Sequence, residues 1–388
     1  MGLPAAALID FSDVHFSPDD LLMPINSIAI PKHKVRRNKT NEISAQSLAI
    51  WRGAQYLVLL LGIALLGTLI YRPTTGLNLM WNGLIPLTPA LLVIAPGLWR
   101  NLCPMATFSL LPHRFGISKR RTMPRRTAGA FAVIALLVLF IVVPLRHLAF
   151  DTNAPLTALM LALSAIAAIS TGMFFEWRSG WCNALCPIHP VEKLYGQLPA
   201  ITLPNARCDE CRNCSMPCPD SIPAMNPSLT GAAFIEKAAG HILIGGLAGL
   251  IWGWYRLPDF HHTATTSEIC SAFVWPLGCA LVTLAIYAAA YRWIYRSNSE
   301  RHFLVKLFAT AAVCTYYWYR LPALAGFGPN PGTGMLVDLS IDFPLLPLLS
   351  RVITTSFFIW FLLLRKHSGA SWTRRPVFKP IMATSTHD

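Results

Sequence analysis

Four cysteines stand in one short run, Cys208-Asp-Glu-Cys211-Arg-Asn-Cys214-Ser-Met-Pro-Cys218-Pro219, spaced C-x2-C-x2-C-x3-C-P. Three thiolates two residues apart can wrap a tight loop around one face of a [4Fe–4S] cubane and bind three of its irons. The fourth, followed by proline, points away, and where two cubanes are bound it ligates the other. Zinc is the main competitor, but paired Cys-x2-Cys zinc sites need a second pair ~15–20 residues away. Four thiols within eleven residues are too crowded for that. No C-x-x-C-H occurs, so covalent haem is not expected.

If Cys218 serves a second cluster, the first needs another thiolate. Upstream stands Trp181-Cys182-Asn-Ala-Leu-Cys186-Pro187, a C-x3-C-P that reproduces the last half of a ferredoxin run. By the same exchange of ligands, Cys186 would complete the cluster of Cys208, Cys211 and Cys214, and Cys182 would join Cys218. A weaker echo, Trp99-Arg-Asn-Leu-Cys103-Pro104, carries Trp99 in place of the leading cysteine. Both copies then reach an aromatic-glycine pair, Phe115-Gly116 and Tyr195-Gly196, which reads as internal duplication. Seven candidate cysteines result, where two cubanes need eight. The second cluster, with Cys103, Cys182 and Cys218, is then a three-iron cluster, takes a non-cysteine ligand such as water, His113 or Asp220, or does not form. A plain buried thiol is the competing reading of Cys103.

Other side chains are weaker candidates. His241 alone among the histidines lies well inside an apolar stretch, where a satisfied core residue competes with a quinone contact. His147, His261 and His262 fall at or beyond the far ends, so paired-histidine haem is not expected. Cys270, Cys279 and Cys314 show no ligand spacing and read as buried, inert thiols. Aromatics in the seventh and eighth stretches read as interface anchors. There is no phosphate-binding glycine loop, H-E-x-x-H or nucleophile elbow. An electron-transfer component therefore fits better than a stand-alone catalyst.

The elements that must position these residues are hydrophobic. Of 388 residues, 54% are hydrophobic and 13% charged, about half the charged fraction of a soluble domain. With a mean hydropathy of +0.47, the chain needs lipid rather than a larger core. Eight stretches, near 53–71, 78–98, 129–148, 156–175, 232–254, 271–291, 303–324 and 345–364, are long enough or nearly so to cross ~30 Å of hydrocarbon as helices. The formal charge of +14 lies in alternate loops, at Arg100, Arg114, Lys119 to Arg126, Arg292 to Lys306 and Arg365 to Lys379. Opposite loops hold single residues at Arg72, Arg146, Arg256 and Arg320. That bias places both termini and the cysteine-rich loop in the cytoplasm, and it argues against nucleic acid as a partner.

The expected fold is an all-α polytopic membrane protein with about eight transmembrane helices and a small ferredoxin-like [4Fe–4S] loop domain. Its parts are a cytoplasmic tail at 1–50, a four-helix membrane unit at 51–175, the iron–sulfur segment at 176–230, four further helices at 231–365 and a basic tail at 366–388. No cleavable signal peptide is expected in the acidic N-terminal segment.

Over roughly 50–230, spans in pairs, a Cys-Pro motif after the second and fourth, and then the four-cysteine run resemble the polyferredoxin-like membrane proteins of the NapH, NosR and CcoG type. The resemblance implies a bacterial cytoplasmic membrane protein that moves electrons, from quinol or a cytoplasmic donor, toward a partner redox protein. It also carries two alternatives: an accessory factor reducing a metal or thiol for maturation of a metalloenzyme, and a structural subunit of a larger membrane redox complex. Trp99 departs from the pattern, as do the four spans after 230. The extracytoplasmic flavin domain of the NosR type is not found, so no flavin is expected. A transporter ranks low, because no inverted repeat surrounds a broken, ion-ligating helix pair.

Overall fold

The computed structural model describes residues 43–121, 123–176, 178–196, 199–207, 234–258, 260, 265–328, 334–365 and 373–374. The Cys208–Cys218 run, Asp220, His261, His262, residues 1–42 and most of the basic tail lie outside them.

Helix α1 (Ala45–Tyr71) starts where the Ser44 side chain accepts from the Ser47 amide at 3.1 Å, satisfying one of the amides a helix start leaves free. Next come α2 (Pro73–Leu77), a π-helical stretch at Asn78–Leu84, and α3 (Ile85–Ile94). Two short helices, α4 (Pro96–Leu102) and α5 (Pro104–Arg114), follow. Helix α6 (Arg125–Leu145) runs on through a π-helical turn to Phe150, and α7 (Ala154–Phe174) returns. A π-helical stretch at Arg178–Leu185 leads to α8 (His189–Tyr195). The last four are α9 (Phe234–Trp254), α10 (Thr266–Ala289), α11 (Asn298–Leu324) and α12 (Leu346–Ile359). Thr265 with Glu268, and Ser297 with Glu300, form capping boxes that start α10 and α11. A two-residue pairing of Leu203–Pro204 with Thr373–Arg374 is the sole strand pairing among the described residues.

Six of these helical segments are long and apolar enough to cross a membrane: Ala45–Tyr71, Pro73–Ile94, Arg126–Phe150, Ala154–Phe174, Thr266–Ile294 and Leu346–Leu364. They turn large apolar side chains outward, among them Leu57, Leu61, Leu137, Leu163, Val274, Leu281 and Ile353. So much exposed hydrocarbon suits contact with lipid. The fifth and seventh expected spans are helices α9 and α11; α9 is as apolar as its neighbours, whereas α11 is much less so. Both contribute to the largest buried core, with Leu243, Ile244 and Leu247 from α9 and Leu304, Val305, Ala312, Val313 and Tyr317 from α11. A helix covered by protein is free to carry polar side chains that a lipid-facing one is not.

The broken second span shows how α11 uses that freedom. Pro89 inside α3 lacks an amide and distorts the ladder. The Tyr317 hydroxyl fills the gap, accepting from the Ala90 amide at 2.9 Å and donating to the Pro86 carbonyl at 2.7 Å. One turn further along α11, Arg320 donates to the Trp81 carbonyl at 2.6 Å and to the Asn82 side chain. These are the repairs that membrane helices need where their own bonding fails. Tyr317 is thus a core residue, and the expectation that the seventh span's aromatics anchor an interface is corrected for it. Arg146 and Arg320, read as loop charges, are likewise buried within helical segments. Arg146 is paired with Asp151 at 3.0 Å and sandwiched between the Trp81 and Trp254 rings. His147 is buried, its Nε2 2.8 Å from the Trp254 carbonyl.

Candidate metal centre

Both Cys-Pro motifs aim backbone amides at the cysteine sulfur. Cys103 caps α5, Pro104 takes the first helical position, and the Cys103 sulfur accepts from the backbone amides of Ala106 and Met105. Cys186 precedes Pro187 and α8, and its sulfur accepts from the amides of Ile188 and His189. Proline fits here because the first amides of a helix have no intrahelical partner to lose, and the next ones are free to point at the sulfur. The copies differ in register: Pro104 opens α5 directly, whereas Pro187 sits in a turn two residues before α8.

The copies meet. Arg100 of the first donates to the Cys182 carbonyl at 3.0 Å and to the Asn183 side chain at 2.7 Å. Asn183 occupies the position in the second copy that Arg100 holds in the first. Arg100 also pairs with Glu192 of α8 at 3.0 Å, with both side chains almost wholly buried. Close approach of α5 and α7 brings the copies together: a methyl at Gly172 would collide with the Ser109 carbonyl.

Cys103, Cys182 and Cys186 consequently share one apolar cluster with Ala106, Leu110, Ala168 and Trp181. Burial pushes the thiol pKa of all three up, and each acts electrostatically on the next. Cys186 reaches about 12. Such thiols are inert until a metal takes the proton's place. Trp99 does not enter this cluster; it packs on the larger core instead. Among the described residues, no three His, Cys, Asp or Glu side chains close on a single ion. A cubane is wider than one ion, and its ligands stand correspondingly further apart.

Arg207, the residue before the four-cysteine run, is fully buried. Its guanidinium donates to the carbonyls of Asn101 at 3.0 Å and Cys103 at 3.1 Å and to the Thr107 hydroxyl at 3.1 Å. The Ala206 amide adds a bond to the Asn101 side chain at 3.0 Å. The chain thus enters the run tied to the first Cys-Pro turn.

Polar atoms without partners collect at this end of the bundle. The Trp181 indole nitrogen and both ring nitrogens of His189 are sealed from solvent and have no hydrogen-bond partner among the described residues. Burial, followed by the neighbouring Lys193 and Arg100 charges, holds the His189 pKa well below the usual histidine range. His113, a sequence candidate for the missing ligand, sits in α5 with Nε2 3.3 Å from the Phe175 carbonyl. His241 stands apart, edge-on to Tyr291 at 4.7 Å and beside Tyr287, whose buried hydroxyl has no partner. Cys279 and Cys314 are half-buried, but Cys270 is exposed on α10, which corrects the expectation of a buried thiol there.

Sequence reasoning missed Arg100, Glu192 and His189, and it read Arg207 only as a charge beside the cysteine run, not as a buried tie to the first Cys-Pro turn. Arg100 was counted among loop charges, and only its place in the W-R-N-L-C-P repeat hinted at more. Comparison of the chain with protein-family models, with curated proteins and with solved structures finds no match.

Proposed function

We propose that this chain is a membrane-bound iron–sulfur electron-transfer protein, passing electrons between quinol or a cytoplasmic donor and a partner redox protein. The reading has eight spans, α9 and α11 included, with both termini and the cysteines on the cytoplasmic side of a bacterial cytoplasmic membrane. The observation that carries it is the convergence of Cys103, Cys182 and Cys186 in one buried cluster, with Arg207 tying the start of the four-cysteine run to the same place.

Thiolates buried in apolar surroundings, amides aimed at sulfur and an indole N–H with no other acceptor are the donor set of a cubane site. When bound, the cluster would accept and release single electrons. The chain's own residues hold its geometry and set its potential. Amides donating to the sulfurs and the nearby Arg100 and Arg207 stabilise the electron-rich form, while Glu192 opposes it. Burial excludes water.

Iron and sulfide quantification with low-temperature EPR on anaerobically purified protein tests this. About eight irons per chain are expected if both cubanes form, and fewer than about three would defeat the proposal. For quinol entry, His241→Ala is expected to slow quinol-dependent cluster reduction at least ~10-fold while leaving dithionite reduction intact, the size of a lost buried polar contact. Unchanged quinol kinetics would remove His241 from the reading.

A further inference from the structure

A second group of buried polar side chains lies at the end of the bundle away from the Cys-Pro motifs. The chain enters α6 beside Phe175 and Glu176, just ahead of the Cys182 motif, and reaches Arg146 about 30 Å further along. We propose that Tyr255, Tyr316 and Arg320 bind one small monovalent anion there, of halide size. The inference does not rest on the iron–sulfur reading.

Side-chain contacts hold the group together. The Arg146 guanidinium lies between the Trp81 and Trp254 rings, and Arg320 donates to the Trp81 carbonyl and the Asn82 side chain. Trp254 meets Tyr255 edge-on with ring centroids 4.7 Å apart, and Tyr255 meets Tyr316 at 6.3 Å. Both phenol groups interact electrostatically with Arg146, Arg320 and Asp151. The two hydroxyls and the two guanidiniums therefore share one small region.

Donors exceed acceptors in that region. The Tyr255 and Tyr316 hydroxyls, the Arg320 Nε and the Trp254 indole nitrogen are sealed from solvent and have no partner among the described residues. So many orphaned groups in one place call for a specific explanation, such as a bound ion. Arginine and tryptophan only donate, so they cannot satisfy one another. Charge is unbalanced as well. Arg146 is matched by Asp151, both of whose oxygens it bonds. Arg320, only 5% exposed, bonds neutral acceptors among the described residues, and a buried cation without a counter-charge is costly. One monovalent anion answers both imbalances, taking the hydroxyl and Nε donors and cancelling the Arg320 charge. A water molecule would leave that charge unmatched. Because the donor atoms are sealed, a one-atom ion fits better than a phosphate group.

The test uses the full chain in detergent, exchanged into sodium gluconate and titrated with sodium bromide at constant ionic strength. Bromide is expected to raise the unfolding temperature saturably, and calorimetric titration should give a single site per chain. Chloride should compete with bromide, and inorganic phosphate should not. Tyr255→Phe and Tyr316→Phe each remove only a hydroxyl that has no partner, so in gluconate both should unfold at or above the wild-type temperature. Each should weaken bromide binding on the order of 10-fold, the size of one hydrogen bond to a charged group. A bromide response no larger than that to added gluconate would overturn the inference. So would a bromide affinity unchanged in both phenylalanine variants, or stabilisation by phosphate without bromide.

Discussion

Replacing Glu192 with alanine is expected to cost about 3–5 kcal/mol of stability, among the largest effects a single substitution can have here. Glu192 and Arg100 pair at 3.0 Å with almost no exposure. Removal of the carboxylate takes the buried ion-pair partner from the Arg100 guanidinium, which also bonds the neutral Cys182 carbonyl and Asn183 side chain. Glu192→Gln keeps a neutral acceptor and should lose less. The double substitution Arg100→Met with Glu192→Leu should recover much of the loss, because buried pairs replaced by apolar groups are often near neutral. Thermal unfolding of the detergent-solubilised protein reads all three. A loss below about 0.5 kcal/mol for Glu192→Ala would mean that the pair is solvated and that the two copies are not joined through it.

The second large effect is expected at Gly249. Helices α9 and α10 pack most extensively of any pair, and Gly245, Gly249 and Gly253 line their seam at four-residue intervals. A methyl at Gly249 would collide with the Cys279 carbonyl, and one at Gly253 would come within 2.7 Å of the Pro276 backbone. Small residues at this spacing let two helix backbones touch, which is how membrane helices associate without a hydrophobic drive between them. Gly249→Leu should therefore exceed the ~1–3 kcal/mol of ordinary overpacking, since backbone rather than a movable side chain stands in the way. Gly278, on α10 but facing open space, is the control: Gly278→Ala should be neutral or slightly stabilising. Equal unfolding temperatures for Gly249→Leu and Gly278→Ala would dispose of the close-packed seam.

The spans were legible because lipid imposes a simple rule on outward-facing residues, and hydropathy alone located every long helix, though it missed the first two turns of α1. The Cys-Pro duplication was legible as well, as spacing. What escaped was the inward use of charge. Arg100, Glu192 and Arg207 look like loop residues in a linear reading, and nothing in their periodicity says that the loops fold back and bury them. Tyr317 and Arg320 escaped for a related reason. Their purpose is to mend a break in a helix more than 220 positions earlier, a relation that no local pattern encodes. His189 carried no spacing signal, and only its two unpartnered nitrogens single it out.

The polarity of α11 bears on how the chain enters its membrane. Charged and aromatic-rich helices such as α11, with Arg301, Lys306 and Arg320, partition poorly from the translocon into lipid as single segments. The next helix, α12, is apolar and packs against α11. The order of synthesis thus delivers a reluctant helix and its escort in succession, and the two can leave the translocon as a hairpin. A ribosome stalled just after α11 would hold that helix before its apolar escort is made.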